Sequence, residues 1–522
     1  MAIGVYVTLE VDWDDDGNFL NANSDISSDV LQLEWSRGRD SASQLTGRAT
    51  AGELEARLKN EDNLYNSFNS DSDLSGKILP GLAVRLQISS VSPAFPYTFP
   101  LTFPEAEPAW RGYLDSISPS FLRSSGKQLT LRATGPMARI AARETAEVAT
   151  STSIATGAAI TLVINDADSS VPTNIDTGET TMTRWWTATQ GALDAIRDIE
   201  ESEIGYVGES PDGEIVFESR QHRLNAPHIT SQAEFSDASD ATLTYGDIEQ
   251  IDPIAEIYNV MNAEVQLYTV GSLAVLWTLA ESGANSPALA AGVAKTFIAR
   301  FPTAASATNA RHVNAWTTTA ATTDMLANAA ADGSGTNLTS SIGISVSKYA
   351  ESMKITLTNN SATDGYITKL QARGTPVTAD DPLTIIEEDS TSQASFGKRT
   401  FPLQGPFIPD EQDARDLMAF LLSIHKDPMR MMRIIWDGNK DSTHKTKARE
   451  LDISDRITVV ADNRSGLGID EDFFIEYMKH SMDIEGQYQV TYECSEATAY
   501  GGFWVLDVGR LGASTVSYTH LT

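Results

Sequence analysis

The sequence predicts a mainly β, multi-domain protein with α+β modules, and three observations carry that prediction. Apolar residues alternate with polar ones at Ile3, Val5, Val7, Leu9, Val11 and Trp13, the period-two signature of a half-buried strand. Thr183 to Glu203 reads as an amphipathic helix followed by a hairpin, so the class changes along the chain. Residues 300–340 are rich in Ala, Thr, Asn and Ser and nearly free of charge, and alternating runs follow them. A chain of 522 residues has room for roughly three or four domains.

The alternation of the first strand returns at Leu31, Leu33 and Trp35, and at Leu54, Ala56 and Leu58 between charged residues. It continues at Val84, Leu86 and Ile88 and at Leu129, Leu131 and Ala133, with Leu79-Pro80-Gly81 as a turn. Residues 1–135 therefore read as an antiparallel β-barrel or sandwich. Residues 136–250 read as an α+β module. Its helix has capping-box spacing at Thr187 and Gln190 and an apolar stripe of Ala192, Ile196 and Ile199. Its hairpin turns at Ser210-Pro211-Asp212-Gly213. Residues 251–380 read as an inserted β-sandwich, with strands at 342–346 and 353–357. Residues 381–515 begin with a helix started by Pro409 and Asp410, its apolar face formed by Ala414, Leu417, Met418, Leu421 and Leu422. Strands at 432–436, 457–460, 473–477 and 488–492 then complete a last β-domain.

The formal charge is −33, from 71 acidic against 38 basic residues. Such a surface repels phosphate backbones and argues against specific nucleic-acid binding. Forty-one per cent hydrophobic residues, with nine Trp and 17 Phe, suffice for real cores. The single cysteine, Cys494, excludes an intrachain disulfide and reads as a small buried hydrophobe rather than a nucleophile. MAIGVYVTLEVDW lacks the basic and apolar regions of a signal peptide, and no apolar run is long enough to span a membrane, so synthesis in a cytosol is expected. Val516 to Leu521, VSYTHL, resembles a translated sequencing-library adapter, so residues 516–522 are set apart as an expected foreign tail.

The chain lacks a phosphate-binding Walker loop, a G-x-S-x-G elbow and an H-E-x-x-H pair. Its seven histidines have no metal-ligand spacing, and His222 and His228 read as solvated loop residues. Acidic neighbours such as Glu387-Glu388 and Glu471-Asp472 are expected by chance among so many acids. The Trp185-Trp186 doublet reads as core and helix staple rather than a sugar platform. No catalytic residue and no bound cofactor other than calcium is expected, and the chain reads as a non-enzyme.

Only VDWDDDGNF has chemistry that fits its spacing. Calcium wants six to eight oxygens, and aspartates at positions 1, 3 and 5 with glycine at 6 curl the backbone around it. Those positions are Asp12, Asp14, Asp16 and Gly17, with Asn18 adjoining them and Phe19 as apolar anchor. Position 12 is Asn23 where a bidentate glutamate is wanted, with Asp25 as a substitute, and the flank is a strand. The alternation places Asp12 on the solvent side of that strand. The alternative is an Asx-rich hairpin end with solvated carboxylates.

Several stretches together resemble the tail-tip or baseplate hub proteins of tailed bacteriophages. They are VDWDDDGNF, SSDVLQLEWSRGRD, LKNEDNLYN, LPGLAVRLQ, WRGYLDSI, LRATGPMARIA, ALDAIRDIEESEIGYVGESPDGEIVFESR, ELDISDRITVV, FFIEYMKHSM and GGFWVLDVGRLGAST. The resemblance is scattered over most of the chain and is weaker in the inserted sandwich. It implies two hub-type β-barrels, one at each end of the chain, with the α+β module outside and the inserted domain projecting. It also implies a homotrimeric ring that continues the tail tube, docks tip or fibre proteins and lets DNA pass without specific binding. The protein would then be a virion component assembled in the host cytoplasm. The acidic composition and D-x-D-x-D-G loop also fit a calcium-dependent adhesin or carbohydrate-binding protein, which would need an export signal. A tail-associated cell-wall hydrolase would need a catalytic constellation.

Overall fold

The computed structural model describes residues 6–39, 48–89, 106–122, 126–251, 257–279, 285–483 and 485–497. Ile3 and Val5 of the first alternating run, the GGFWVLDVGRLGAST stretch and the adapter-like tail lie outside these residues. The chain is mainly β, and a single twelve-stranded sheet forms its frame.

The first half of that sheet is built by the alternating runs. Its order is Tyr6–Val11, Ala83–Ser89, Glu107–Leu122, Gly126–Thr134, Glu53–Lys59, Val30–Gly38, every pairing antiparallel. In Glu53–Lys59 the even positions Leu54, Ala56 and Leu58 are buried and the charged odd positions are exposed, as period two demands. The approach to Val30–Gly38 closes the sheet on its first strand. Ile26 N donates to Leu9 O at 2.9 Å, Val11 N to Ser24 O at 2.9 Å, and Leu9 N to Ser27 Oγ at 2.9 Å. The result is a six-stranded barrel filled by Leu9, Leu33, Leu86, Trp110 and Leu131.

A second barrel comes from distant pieces of chain. Asp247–Ile251, Met431–Asp437, Tyr488–Glu496, Ile469–Asp483, Arg456–Ala461 and Ala233–Ser236 are hydrogen-bonded in that order. A bridge between Phe235 and Leu243, just ahead of Asp247–Ile251, closes it. Two of its strands, Ala233–Ser236 and Asp247–Ile251, fall in the stretch that sequence patterning groups with the α+β module. The patterning shows faces, whereas the partners of these short strands lie 180 or more residues away.

One strand welds the barrels together. The first half of Ile469–Asp483 pairs with Arg456–Ala461, and its second half pairs with Val30–Gly38, from Gly38 opposite Tyr477 to Gln32 opposite Asp483. A bulge between Ile475 and Tyr477 marks the change of partner. One apolar cluster runs through both barrels, from Leu9 to Cys494.

The α+β module packs three helices, Pro136–Ala141, Thr156–Asp168 and Ala192–Glu203, against the Tyr206–Glu209 and Ile215–Glu218 hairpin. The last helix starts at Ala192 and not near Thr183. Gln190–Gly191 pairs as a strand with Glu144–Thr145, and Trp185 exchanges backbone hydrogen bonds with Ser151 at 2.8 and 3.0 Å. The Thr187–Gln190 capping box is therefore not formed; Thr187 Oγ1 donates to Ala146 O at 3.0 Å. The stripe of Ala192, Ile196 and Ile199 is fully buried as expected. Helix 156–168 escaped the periodicity, since its Thr, Ile and Val carry little helix propensity and its start has no side-chain cap.

Val260–Val265 lies between Leu383–Glu388 and Thr400–Leu403 in a small sheet. The Glu411–His425 helix packs Ala414, Leu417, Met418 and Leu421 onto that sheet rather than onto the second barrel, and Asp410 caps it through Asp413 N at 3.0 Å. Between the antiparallel neighbours Val260–Val265 and Leu383–Glu388 the chain builds the sandwich, whose long Gly365–Ala379 strand faces the Ala294–Arg300, Ser352–Asn359 and Ile342–Lys348 sheet. The charge-poor stretch also contributes strands, Ala310–Trp316 and Met325–Asn328. The sandwich rests on the module: Thr150 Oγ1 donates to Val313 O at 2.8 Å, and Trp186 stacks on His312 at 3.7 Å. No helix of the described residues is long and apolar enough to cross a membrane.

The weld generates a test at Gly38. Its φ is +111°, and a Cβ there would overlap the Glu476 carbonyl oxygen and lie 2.8 Å from Tyr477 Cα. Gly38→Ala is expected to lower stability by about 3 kcal/mol or more in denaturant unfolding. Gly292→Ala, at φ +73° with open space around it, is expected to lose only about 1 kcal/mol.

Candidate functional site: a buried ionic junction

Glu476 occupies the bulge where the weld changes partner, and its side chain is 1% exposed. Burying a lone carboxylate is prohibitive, so the residue must be matched by charge and hydrogen bonds. Arg39 Nε approaches Oε2 at 2.7 Å, while Arg223 grips both oxygens, Nη1 on Oε1 at 2.5 Å and Nη2 on Oε2 at 2.9 Å. Ser495 Oγ donates to Oε1 at 2.6 Å. Burial works to raise the Glu476 pKa, but Arg223 and Arg39 outweigh it and hold the carboxyl well below its ordinary range.

Each partner belongs to a different part of the fold. Arg39 follows the Val30–Gly38 strand of the first barrel, and its backbone N donates to Glu476 O at 3.0 Å. Arg223 comes from the turn after the module's hairpin. Its Nε donates to Ser454 Oγ at 3.1 Å, and Ser454 Oγ donates in turn to the buried Glu218 at 2.5 Å. The guanidinium of Arg223 also lies over Phe474, and that of Arg39 over Tyr206. Three units thus meet on one carboxylate.

The histidines of the 222–228 turn extend this network and are not simply solvated. His222 Nδ1 lies 2.9 Å from Asp176 Oδ2; burial lowers its pKa, yet Asp176 and Glu218 raise it to a net upward shift. His228, whose ring lies 4.7 Å from that of His222, is pushed down to about 4, by burial first and then by His222 and Arg223. Burial pushes Asp455 up to about 6.

A second buried carboxylate ties the first barrel to the module. Glu209 Oε2 accepts from Gly52 N at 2.7 Å and Oε1 from Met137 N at 2.6 Å, the latter in the first turn of helix 136–141. Burial pushes Glu209 up to about 7, opposed by those two N–H groups and Arg37. Gly135 must be glycine, because a Cβ there would overlap the Glu209 carboxylate.

Beside the junction lies a cavity of about 130 Å³ between the module, the Thr400–Leu403 strand and the end of the Glu411–His425 helix. Glu476, Arg223 and Arg39 form one side of it.

The aspartates of VDWDDDGNF do not converge. Asp12 is buried at 2% exposure, not solvent-facing, because its oxygens accept Gly17 N at 2.8 Å and Asp16 N at 3.3 Å. Asp14 pairs with Lys77 at 2.7 Å. Asp16 accepts Asn21 Nδ2 at 3.1 Å and Asn18 N at 2.9 Å, bonds that hold its pKa down. Asn18 accepts Leu20 N at 3.0 Å and donates to Asn21 at 2.9 Å. Asp25 turns to Ser27 N, and Asn23, at φ +66°, accepts the Trp13 indole N–H at 2.8 Å. Phe19 packs beneath the Arg85 guanidinium. Among the described residues no group of three or more His, Cys, Asp or Glu side chains is placed to hold a metal ion.

The acidic neighbours face apart as well. Glu387 pairs with Arg415, Glu388 with Lys398, Glu471 with Arg430 and Asp472 with Arg456. Trp185 is core; Trp186 serves the sandwich contact. Cys494 is fully buried, and burial raises its thiol pKa.

Sequence reading missed Glu476, Arg39 and Arg223, although a signal for the first is present. Apolar residues occupy odd positions at Phe473 and Ile475 and even positions at Met478 and Met482. That phase flip is the mark of a bulge at Glu476.

No family model matches the chain, and no curated protein matches it. Solved structures similar to it include the tail protein of Neisseria meningitidis MC58, with a TM-score of 0.49 and 8% identity over 95% of this chain and 98% of that one. The 43 kDa tail protein of prophage MuSo2 from Shewanella oneidensis gives 0.46 and 11% over 95% and 99%. The prophage tail protein gp18 of Listeria monocytogenes EGD-e gives 0.39 and 10% over 94% of each chain.

Glu476→Gln leaves two buried guanidinium groups without their counter-charge, and a loss of about 3–5 kcal/mol is expected in chemical unfolding. Glu55→Gln, which breaks the exposed pair with Arg132, should lose under about 1 kcal/mol. A pH test follows from His480, which burial, and then Arg37, pushes down to about 3. Its folded pKa lies below the unfolded value of about 6.5, so its contribution is complete above that value and is lost as pH falls toward 3. Between pH 7 and 5 the wild type should lose about 2 kcal/mol relative to His480→Phe.

Proposed function

We propose that this chain is a non-enzymatic structural subunit of the tail tip or baseplate hub of a tailed bacteriophage, assembled in the host cytoplasm and carried in the virion. In this reading copies of the chain close a ring that continues the tail tube and dock tip or fibre proteins. The observation that carries it is the weld of two closed six-stranded barrels into one twelve-stranded sheet. Closed barrels leave no long free edge inside the wall, and a shared strand prevents one barrel from rocking against the other. A subunit of a load-bearing tube needs that rigidity.

Other features fit the same duty. The hub-like stretches within the described residues fall on both barrels and on the module. The net charge of −33 weighs against passing DNA sticking to the chain. The inserted sandwich enters and leaves through adjacent strands, Val260–Val265 and Leu383–Glu388, so it can project without disturbing the frame. The acidic neighbours Glu387-Glu388 and Glu471-Asp472 are each matched to separate cations.

Three-fold association is the expected ring symmetry. Light scattering coupled to size exclusion at rising concentration should show a species of three times 56.5 kDa, and electron microscopy should show a closed ring. A monomer at every concentration, also in the presence of assembled tail tube, would contradict the proposal.

A further inference from the structure

The contact between the sandwich and the α+β module is built around a histidine that no protein group satisfies. Ala310, Val313 and Trp316 of the Ala310–Trp316 strand belong to the sandwich core, whereas His312 lies outside that core and against the module. Its burial, to 0% exposure, therefore depends on docking. The Trp186 ring stacks on it with centroids 3.7 Å apart and planes at 25°. Tyr268 and Phe407 stand edge-on to Trp186 at 5.5 and 5.9 Å and complete the wall. Both ring nitrogens of His312 are buried, and neither has a hydrogen-bond partner among the described residues. A neutral imidazole fits such a slot as any flat ring does. An imidazolium there would be a buried charge without a counter-ion.

The surrounding charges sharpen that contrast. Among the described residues Arg184 is the charge that acts on His312, and it has the sign that a protonated ring would have. Burial, and then Arg184, push the His312 pKa down to about 3. Burial raises the Tyr268 hydroxyl, which stays neutral, and Arg311 turns to the carbonyls of Thr308 and Ala310 at 3.3 Å. The Gly365–Ala379 strand brings uncharged Val377 opposite His312. Elsewhere in the contact Ser352 donates to Glu147, and burial, then Glu147, raise the Glu351 pKa. The repulsion between those two carboxylates eases as pH falls and works against the effect of the histidine.

We propose that His312 is a proton-operated latch between the sandwich and the module. With a neutral ring the sandwich is docked; protonation releases it as a folded unit still attached through Val260–Val265 and Leu383–Glu388. A histidine whose docked pKa lies below its free value of about 6.5 supports docking fully above that value. The support is lost as pH falls toward the docked value of about 3. Between pH 7 and 5 the docking equilibrium should therefore fall about 25-fold. The latch acts within one chain and needs no assembly, so it stands or falls separately from the tail-hub reading.

Amide hydrogen exchange on the full chain reads the release. Ala350 N donates to Val148 O across the contact at 3.1 Å, so its protection factor reports docking. From pH 7 to 5 that factor should fall about 25-fold more in the wild type than in His312→Phe, which keeps a stacked ring and does not titrate. The contribution of Glu147 and Glu351 is common to both chains and cancels. Amides of Ile355 and Leu357, in the central strand of the sandwich sheet built by Ala294–Arg300, Ser352–Asn359 and Ile342–Lys348, should show no such difference. If His312→Phe does not fold, His312→Leu gives the same comparison with an apolar side chain. Equal pH dependence at Ala350 in wild type and variant would overturn the proposal. An equal excess drop at Ile355 and Leu357 would overturn it too, because the sandwich would then unfold and not detach.

Discussion

The carboxylate of Glu476, held between Arg39 and Arg223 at the bulge of the shared strand, is the interaction on which the rest of the structure depends. Three charges leave water together there, and desolvation opposes that burial by several kcal/mol per ion. The geometry offsets the penalty because both oxygens are gripped and Ser495 completes the shell. A buried ionic group of this kind contributes less to net stability than to choosing one arrangement over others. Here the choice is register. With Glu476 at the bulge, the Ile469–Asp483 strand serves Arg456–Ala461 first and Val30–Gly38 afterwards.

That register has consequences beyond the strand. With the barrels joined in one sheet, their apolar interiors form a single cluster, and Arg223 brings the α+β module to the same point. Glu209 repeats the device on the other side of the module by accepting backbone N–H groups from Gly52 and Met137. The sandwich is joined through a pair of strands and is tied to the module by the Trp186–His312 stack, by Thr150 donating to Val313 O, by Ala350 N donating to Val148 O and by Ser352 donating to Glu147.

Local structure was legible in the sequence wherever a period or a cap states it. Leu54, Ala56 and Leu58 announced a barrel strand by alternation, and Asp410 announced its helix by capping. Long-range pairing was not legible. Alternation says which face is buried and nothing about which strand lies beside it, so the union of Val30–Gly38 with a strand more than 400 residues away left no local trace. The junction was hidden for the same reason, since Arg39, Arg223 and Glu476 are unremarkable charges until topology gathers them. The aspartates of VDWDDDGNF show a limit of spacing taken alone. Their spacing fits a calcium loop, but the backbone amides of the turn claim Asp12 and Lys77 claims Asp14.

The central claim is that the two barrels fold and hold as one body through the shared strand. Native-state hydrogen exchange on the full chain tests it most directly. The account predicts that amides of residues 32–38 and 477–483 exchange as slowly as those in the interior of either barrel, by global unfolding alone. Faster exchange of these two segments, with each barrel's interior still protected, would show that the barrels separate independently and would contradict it.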